Sequence, residues 1–319
     1  ASFLVEHAAG NPFNIVALTA SLVEEGALMQ AEGVWRLDAP SLKLYVSQGK
    51  PARLVETLIE ALTPDVVDML EWAAVLGHEF DSRMLRSLVE IKPELLASNL
   101  ERAKSQGIVA PVEEHRFSFT HDTFREHLYN RLAWNERRSR HQKVAEELER
   151  TFDTGDRQLV LDLAEHYSRG TDVEKALDYS LSAAEIASHS QAHDSAMRYG
   201  KSALMMLRGT ARQGDDRADA ERRARLTLGD TYAGIGDYDL AIEQYEAALA
   251  VTSSNAMKAE LKGRIATVHF MKGELEVAAT QMEQALAELS LRLPRRRLQT
   301  ALTTAAGAFR IVLSNRKTA

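Results

Sequence analysis

The chain has no cysteine. A disulfide framework, a thiolate metal site and a thiol nucleophile are therefore excluded, as fits a cytoplasmic protein. Proline and glycine are sparse, at 7 and 17 of 319 residues, so long stretches run without a break. No apolar run approaches the roughly 18 residues that a membrane helix needs. Residues 1–9 lack the basic start and cleavage pattern of a secretory signal. The chain starts without Met, in what reads as the middle of a helix, so we expect a piece of a longer protein. What is present is ordinary for a soluble globular chain: 45% hydrophobic and 27% charged residues, enough for two or more domains. The net charge of −7 is uneven, because residues 291–319 carry seven cations and no acid. The acidic bulk disfavours nonspecific nucleic-acid binding, and the basic tail is suited to an acidic partner or surface.

Helical periodicity dominates, so the fold class expected is mainly α. A first helix runs from Pro12, a tolerated first-turn position, to Gly26, and residues 33–44 read as a short strand or irregular connector. Residues 52–62, 64–76, 81–90 and 93–106 read as helices, with Thr63-Pro64-Asp65 as a stop-and-restart signal. Residues 108–110 and 116–119 then flank a polar turn, and Phe117 and Phe119 share one strand face. Helices followed by a small β-hairpin give the winged-helix pattern.

From Trp134 onward only helices are expected, and they repeat. Leu228-Gly229, Tyr232, Gly236, Tyr238, Ala241, Tyr245 and Ala248 match the tetratricopeptide pattern. Its small residues let antiparallel helices approach, its tyrosines fill the gap, and Gly236-Asp237 makes the turn. Ile265, Ala266, His269, Gly273, Ala278 and Ala285 mark a later copy, and Leu163, Ala164, Tyr167, Gly170, Ala176 and Ala183 an earlier one. Ala196, Tyr199 and Ala203 mark a further degenerate helix. The expected organisation is residues 1–49 as a lid end and connector, 50–133 as the winged helix, 134–293 as a tetratricopeptide-like α-α solenoid, and 294–319 as a basic helix.

Several stretches carry a family resemblance: Gly10-Asn11-Pro12-Phe13, residues 21–26, 73–81 and 119–129, Arg137-Arg138 with His141, and residues 293–298. In this order they resemble the C-terminal part of the bacterial STAND-class signal-transduction ATPases. Those "predicted ATPase" modules are attached to kinases, adenylate cyclases or LuxR-type regulators. The resemblance implies a helical lid whose G-x-P element is Gly10 and Pro12, with the proline near the adenine. It implies that His121-Asp122 matches the Met-His-Asp element, with His121 contacting the β-phosphate of ADP; Thr120 stands where that family has Met. It also implies ATP or ADP as cofactor of the parent, an NTPase domain in cis, and a protein partner on the solenoid.

The phosphate loop itself does not occur in this sequence. Gly200-Lys201-Ser202 has Ser195 at the first glycine position and lies in a helical repeat, whereas a phosphate cradle needs a glycine-rich loop between strand and helix. Nor is there a convergent nucleophile, base and oxyanion set, so the fragment is expected not to be an enzyme.

Plainer readings stand beside these. His121 can cap the helix after the hairpin, with Asp122 favouring its dipole, and Pro12 can be a helix-start proline. His141 reads as lying on a solvated helix face, His78-Glu79 as structural, and Asp65, Asp68 and Glu71 as surface carboxylates. Trp35, Trp72 and Trp134 read as core. Three functions follow. One is a relay coupling nucleotide state and partner binding to an attached effector. The alternative is a tetratricopeptide interaction scaffold with no nucleotide role. The third, DNA binding through residues 93–106, is disfavoured because Glu94 and Glu101 cancel Arg102 and Lys104.

Overall fold

In the computed structural model the described residues are 15, 19, 22–23, 26–31, 34–42, 54–152 and 156–291. They form two compact units, residues 1–147 and 148–319. The expected lid helix from Pro12 lies largely outside the described residues, and the expected basic C-terminal helix lies wholly outside them.

In the first unit, β1 (Leu28–Ala31) and β2 (Val34–Leu37) form an antiparallel hairpin with Leu28 opposite Leu37. This replaces the single strand or connector expected there. Helices α1 (Leu54–Glu60), α2 (Pro64–Leu76), α3 (Ser82–Val89) and α4 (Pro93–Ser105) follow. Pro64 and Pro93 open α2 and α4, where the missing N–H has no partner to lose. The hairpin pairs β4 (Val109–Pro111) with β5 (Arg116–Phe119). A strand not foreseen, β3 (Glu79–Asp81), pairs with the other edge of β5 and gives the order β3-β5-β4. Three residues are too few to show alternation, and Asp81 also caps α3, its side chain accepting from Arg83 N at 2.7 Å. Phe80 lies 6.1 Å from Phe117 and 5.7 Å from Phe119, so all three rings share the face that the two-residue spacing implied. Helix α5 (Asp122–Arg131) leaves the sheet, and α2 packs on α3, α4 and α5 at the centre of the unit.

Helix α6 (Trp134–Thr151) spans the division between the units. The second unit is an α-α solenoid of α7 (Arg157–Arg169), α8 (Val173–His189), α9 (His193–Met206), α10 (Gly214–Ile235), α11 (Tyr238–Ala250), α12 (Asn255–Lys272) and α13 (Leu275–Glu288). Each helix packs on the next, most extensively within the pairs α8/α9, α10/α11 and α12/α13, and α8 also touches α10. Such nearest-neighbour packing is the mark of repeat proteins.

The signature residues do the work that their sizes suggest. A Cβ on Gly229 would lie 2.5 Å from the Tyr245 ring, so only glycine lets α10 and α11 approach this closely. Gly236 and Gly273 end α10 and α12 at φ of 85° and 84°, the left-handed cap that glycine adopts without a Cβ clash. Leu228, Tyr232, Ala241, Tyr245 and Ala248 join Leu261, Ile265 and Val268 in one buried cluster.

The α8/α9 pair obeys the same spacing through residues the sequence reading treated only in part. Ala183, Ala184 and Ala187 on α8 and Ala196, Gly200 and Ala203 on α9 are all buried, and Ala183 and Ala184 cluster with Ala164 and Tyr199. A Cβ on Gly200 would press to 2.9 Å from Leu228. Tyr199, one of the three residues that marked the degenerate helix, is buried in that cluster. Gly200-Lys201-Ser202 sits in mid-helix, and its glycine serves helix packing.

Candidate functional site

Two places bear on function, one in each unit. In the first, His121 is the residue between β5 and α5, with extended backbone at φ −146° and ψ 142°. It occupies the N-cap position, but its side chain makes no capping bond, so the plain capping reading does not hold. The ring is partly exposed and lies 6.5 Å from Phe124. Partial burial holds its pKa below the ordinary histidine value, so the ring is neutral near pH 7, with one N–H to donate. Gly10 and Pro12, the other expected nucleotide contacts, lie outside the described residues.

The neighbours of His121 explain why this motif has its particular letters. Thr120, in the Met position of the resembled element, donates from Oγ1 to Gly107 O at 2.6 Å, and its N–H donates to Ile108 O at 3.0 Å. It fastens the end of β5 to the chain leaving α4. Asp122 meets His78 Nδ1 at 2.9 Å, which joins two motifs 44 residues apart and gives His78 the structural role expected of it.

The Arg137–His141 motif is not on a solvated face. His141 is 2% exposed, and its Nε2 is 2.9 Å from Tyr129 Oη, so the surface reading of His141 is corrected. Arg137 donates from Nε to Leu132 O and from Nη2 to Asn130 O, both at 2.9 Å, and thereby covers the end of α5. Arg140, buried, pairs at 2.7 Å with both Asp68 and Glu136 and at 3.5 Å with Glu71, while its guanidinium stacks 4.7 Å from the Trp72 ring. Glu71 is therefore no surface carboxylate: burial pushes its pKa up against the pull of Arg140. Of the tryptophans expected in the core only Trp72 is there. Trp35 is 55% and Trp134 71% exposed, the latter lying under the Arg138 guanidinium at 4.9 Å. The residue type was a poor guide because a tryptophan flanked by cations can stack on one at the surface.

In the second unit a cleft of about 380 Å³ crosses the alternate helices α8, α10 and α12. Its charges are paired across helices. Arg223 holds Glu185 bidentately at 2.8 and 3.1 Å, and Arg264 reaches Asp230, which also accepts from Tyr245 Oη at 2.6 Å. Arg222 and His189 also line it, and Leu226 adds an apolar side chain. Pairing fixes the rotamers, so the groove presents an ordered polar surface at reduced entropic cost to a binder. Sequence reasoning missed these residues. Asp230 follows the signature Gly229 and Arg264 precedes the signature Ile265, so the repeat register was the signal that would have found them.

No protein-family model matches the chain, and no curated protein does. A solved structure is similar to it: a STAND protein (signal transduction ATPase with numerous domains) with a tetratricopeptide repeat sensor from Pyrococcus horikoshii. The identity is 13%, the match covers 92% of this chain and 61% of that one, and the TM-score is 0.27. The chain thus spans less than two thirds of that chain's length. Among the described residues no group of three or more metal-ligating side chains occurs, and no helix is long and apolar enough to cross a membrane.

Proposed function

We propose that this chain is the non-catalytic relay segment of a nucleotide-dependent signal-transduction ATPase. In this reading residues 50–133 are a winged helix, serving as a spacer whose His121 senses bound ADP. The solenoid receives a protein partner, and the two inputs bias an attached effector. The observation that carries the reading is the ordered, charge-paired groove across α8, α10 and α12, a surface made by successive repeats and suited to a polar segment of a partner. His121 supports the nucleotide part: a neutral imidazole can donate one hydrogen bond to a phosphate oxygen. ATP or ADP would come with the NTPase domain, which supplies the phosphate loop and the hydrolytic chemistry. This chain's contribution is to hold one phosphate contact and to move with it. Effector output of the parent protein tests the proposal. His121→Ala should raise basal output by releasing the ADP-held closed state, and output equal to wild type would count against it.

The scaffold reading has one observation in its favour, because the groove is complete within the second unit. Partner binding measured on residues 137–319 with and without ATP or ADP separates the two. Scaffold binding matches that of the parent and ignores nucleotide, whereas relay binding by the parent responds to it. DNA binding through α4 is the weakest reading, since its lysine pairs with Glu101 at 3.1 Å and no net positive face results.

A further inference from the structure

A second cleft, of about 310 Å³, opens between α9, α10 and α11. Its charges are one-sided. Lys201, Arg208, Arg217 and Arg225 line it against one carboxylate, Glu221. That carboxylate is engaged by Arg225, whose Nε donates to it at 2.8 Å. Arg217 donates to Leu207 O at 2.7 Å, a contact that positions the guanidinium without neutralising it. Lys201 Nζ lies 5.8 Å from the centre of the Tyr232 ring. Among the described residues no carboxylate pairs with Lys201, Arg208 or Arg217.

Several other long cations in this unit are answered by acids across helices: Lys175 by Glu149, Arg212 by Glu174 and Asp178, Lys262 by Glu288, Lys272 by Asp239. An acidic chain of net charge −7 has acids to spare for such pairs. Three unanswered cations converging on one cleft make a site for an anion. Guanidinium forks match phosphate oxygens, and the excess of cations favours a dianion over a monoanion. Leu204 and the largely buried Leu228 and Tyr232 complete the lining with apolar side chains. The volume lies at the small end of the roughly 300–1,000 Å³ typical of small-molecule clefts.

We propose that this cleft binds a small organic phosphate. The dianionic head sits among Lys201, Arg208 and Arg217, and the apolar body lies against Leu204 and Leu228. The site is distinct from the charge-paired groove and from His121, so it would give the solenoid a small-molecule input. Lys201, whose neighbours resemble a phosphate loop only by accident, would meet a phosphate through this cleft and not through a glycine-rich turn.

Calorimetric titration of the full chain at low salt tests this with three probes: phenyl phosphate, inorganic phosphate and benzoate. Phenyl phosphate should bind tightest and benzoate weakest. Arg208→Ala and Lys201→Ala should each weaken phenyl phosphate binding about tenfold, the loss expected for a hydrogen bond to a charged group. Both side chains are exposed, so neither change should disturb the fold, and unchanged thermal melting verifies that. Glu221→Gln, which removes the acid among the described lining residues, should tighten binding. Absence of phosphate binding would overturn the proposal, and so would benzoate binding as tightly as phenyl phosphate. Indifference to Arg208→Ala and Lys201→Ala, or binding of a phosphopeptide but not of phenyl phosphate, would overturn it equally.

Discussion

The two units hold together in different ways. In the solenoid the decisive contacts join helices adjacent in sequence: Tyr245 on α11 fills the space left by Gly229 on α10, and its hydroxyl donates to Asp230, 15 residues away. In the first unit the decisive clasp is distant in sequence. Arg140 reaches Asp68, 72 residues away, and stacks on Trp72, so α6 is tied to the central helix α2. A solenoid built from neighbours can lose one interface and keep the rest. A unit clasped through a buried cation depends on all of its parts together. The difference is open to test.

Tyr245→Ala should have the largest effect, about 4 kcal/mol, because it empties a fully packed aromatic site. Hydrogen exchange should show protection lost in α10–α12 and kept in α7 and α8. Uniform loss across the solenoid would contradict nearest-neighbour stability. Arg140→Ala comes next, at about 3 kcal/mol, since it removes a buried guanidinium that pairs with Asp68 and Glu136 and stacks on Trp72, and leaves Glu71 with Arg131 as its one cation among the described residues. Here protection should fall across α2, α5 and α6 together; loss confined to α6 would erase the contrast between the units.

A pH titration sharpens the comparison further. His166 in α7 is 7% exposed, and burial holds its pKa at about 4. The folded state therefore resists protonation while the unfolded state accepts it. The solenoid should lose stability as pH falls from about 6.5 to about 4 and lose no more from this group below that, a total of about 3 kcal/mol in the limit. Denaturant melts of wild type and His166→Gln across that range measure it, and identical pH profiles would exclude His166 as the cause. Gly229→Ala should cost least, about 1 kcal/mol, as the clash with Tyr245 outweighs the better helix propensity of alanine. A stabilised variant would show that the tyrosine yields.

How legible each unit was in the sequence follows from the same physics. Repeat contacts recur at fixed short spacing, so Leu228, Tyr232, Ala241 and Ala248 announced their packing, and Gly236 and Gly273 their turns. In α8 and α9 fewer of the signature positions are filled, and Ala196, Tyr199 and Ala203 were legible only as a degenerate helix. The Arg140 clasp had no periodic signature. One arginine in a basic stretch looks the same whether it points to water or to Asp68, and His141 and Glu71 were misread as surface residues for that reason. The place of His121, after the hairpin and before the next helix, was legible, whereas a role for its side chain was legible only through a resembled motif. The two clefts came from register between helices that no single segment contains.

The central claim is that the first unit senses nucleotide through His121 while the solenoid receives the partner. ADP retention by the parent protein, wild type against His121→Ala, tests it most directly. The account predicts ADP released about tenfold faster from the variant, as for a lost hydrogen bond to a charged group, with unchanged melting of both units. Equal retention in the two proteins would contradict it and leave an interaction scaffold.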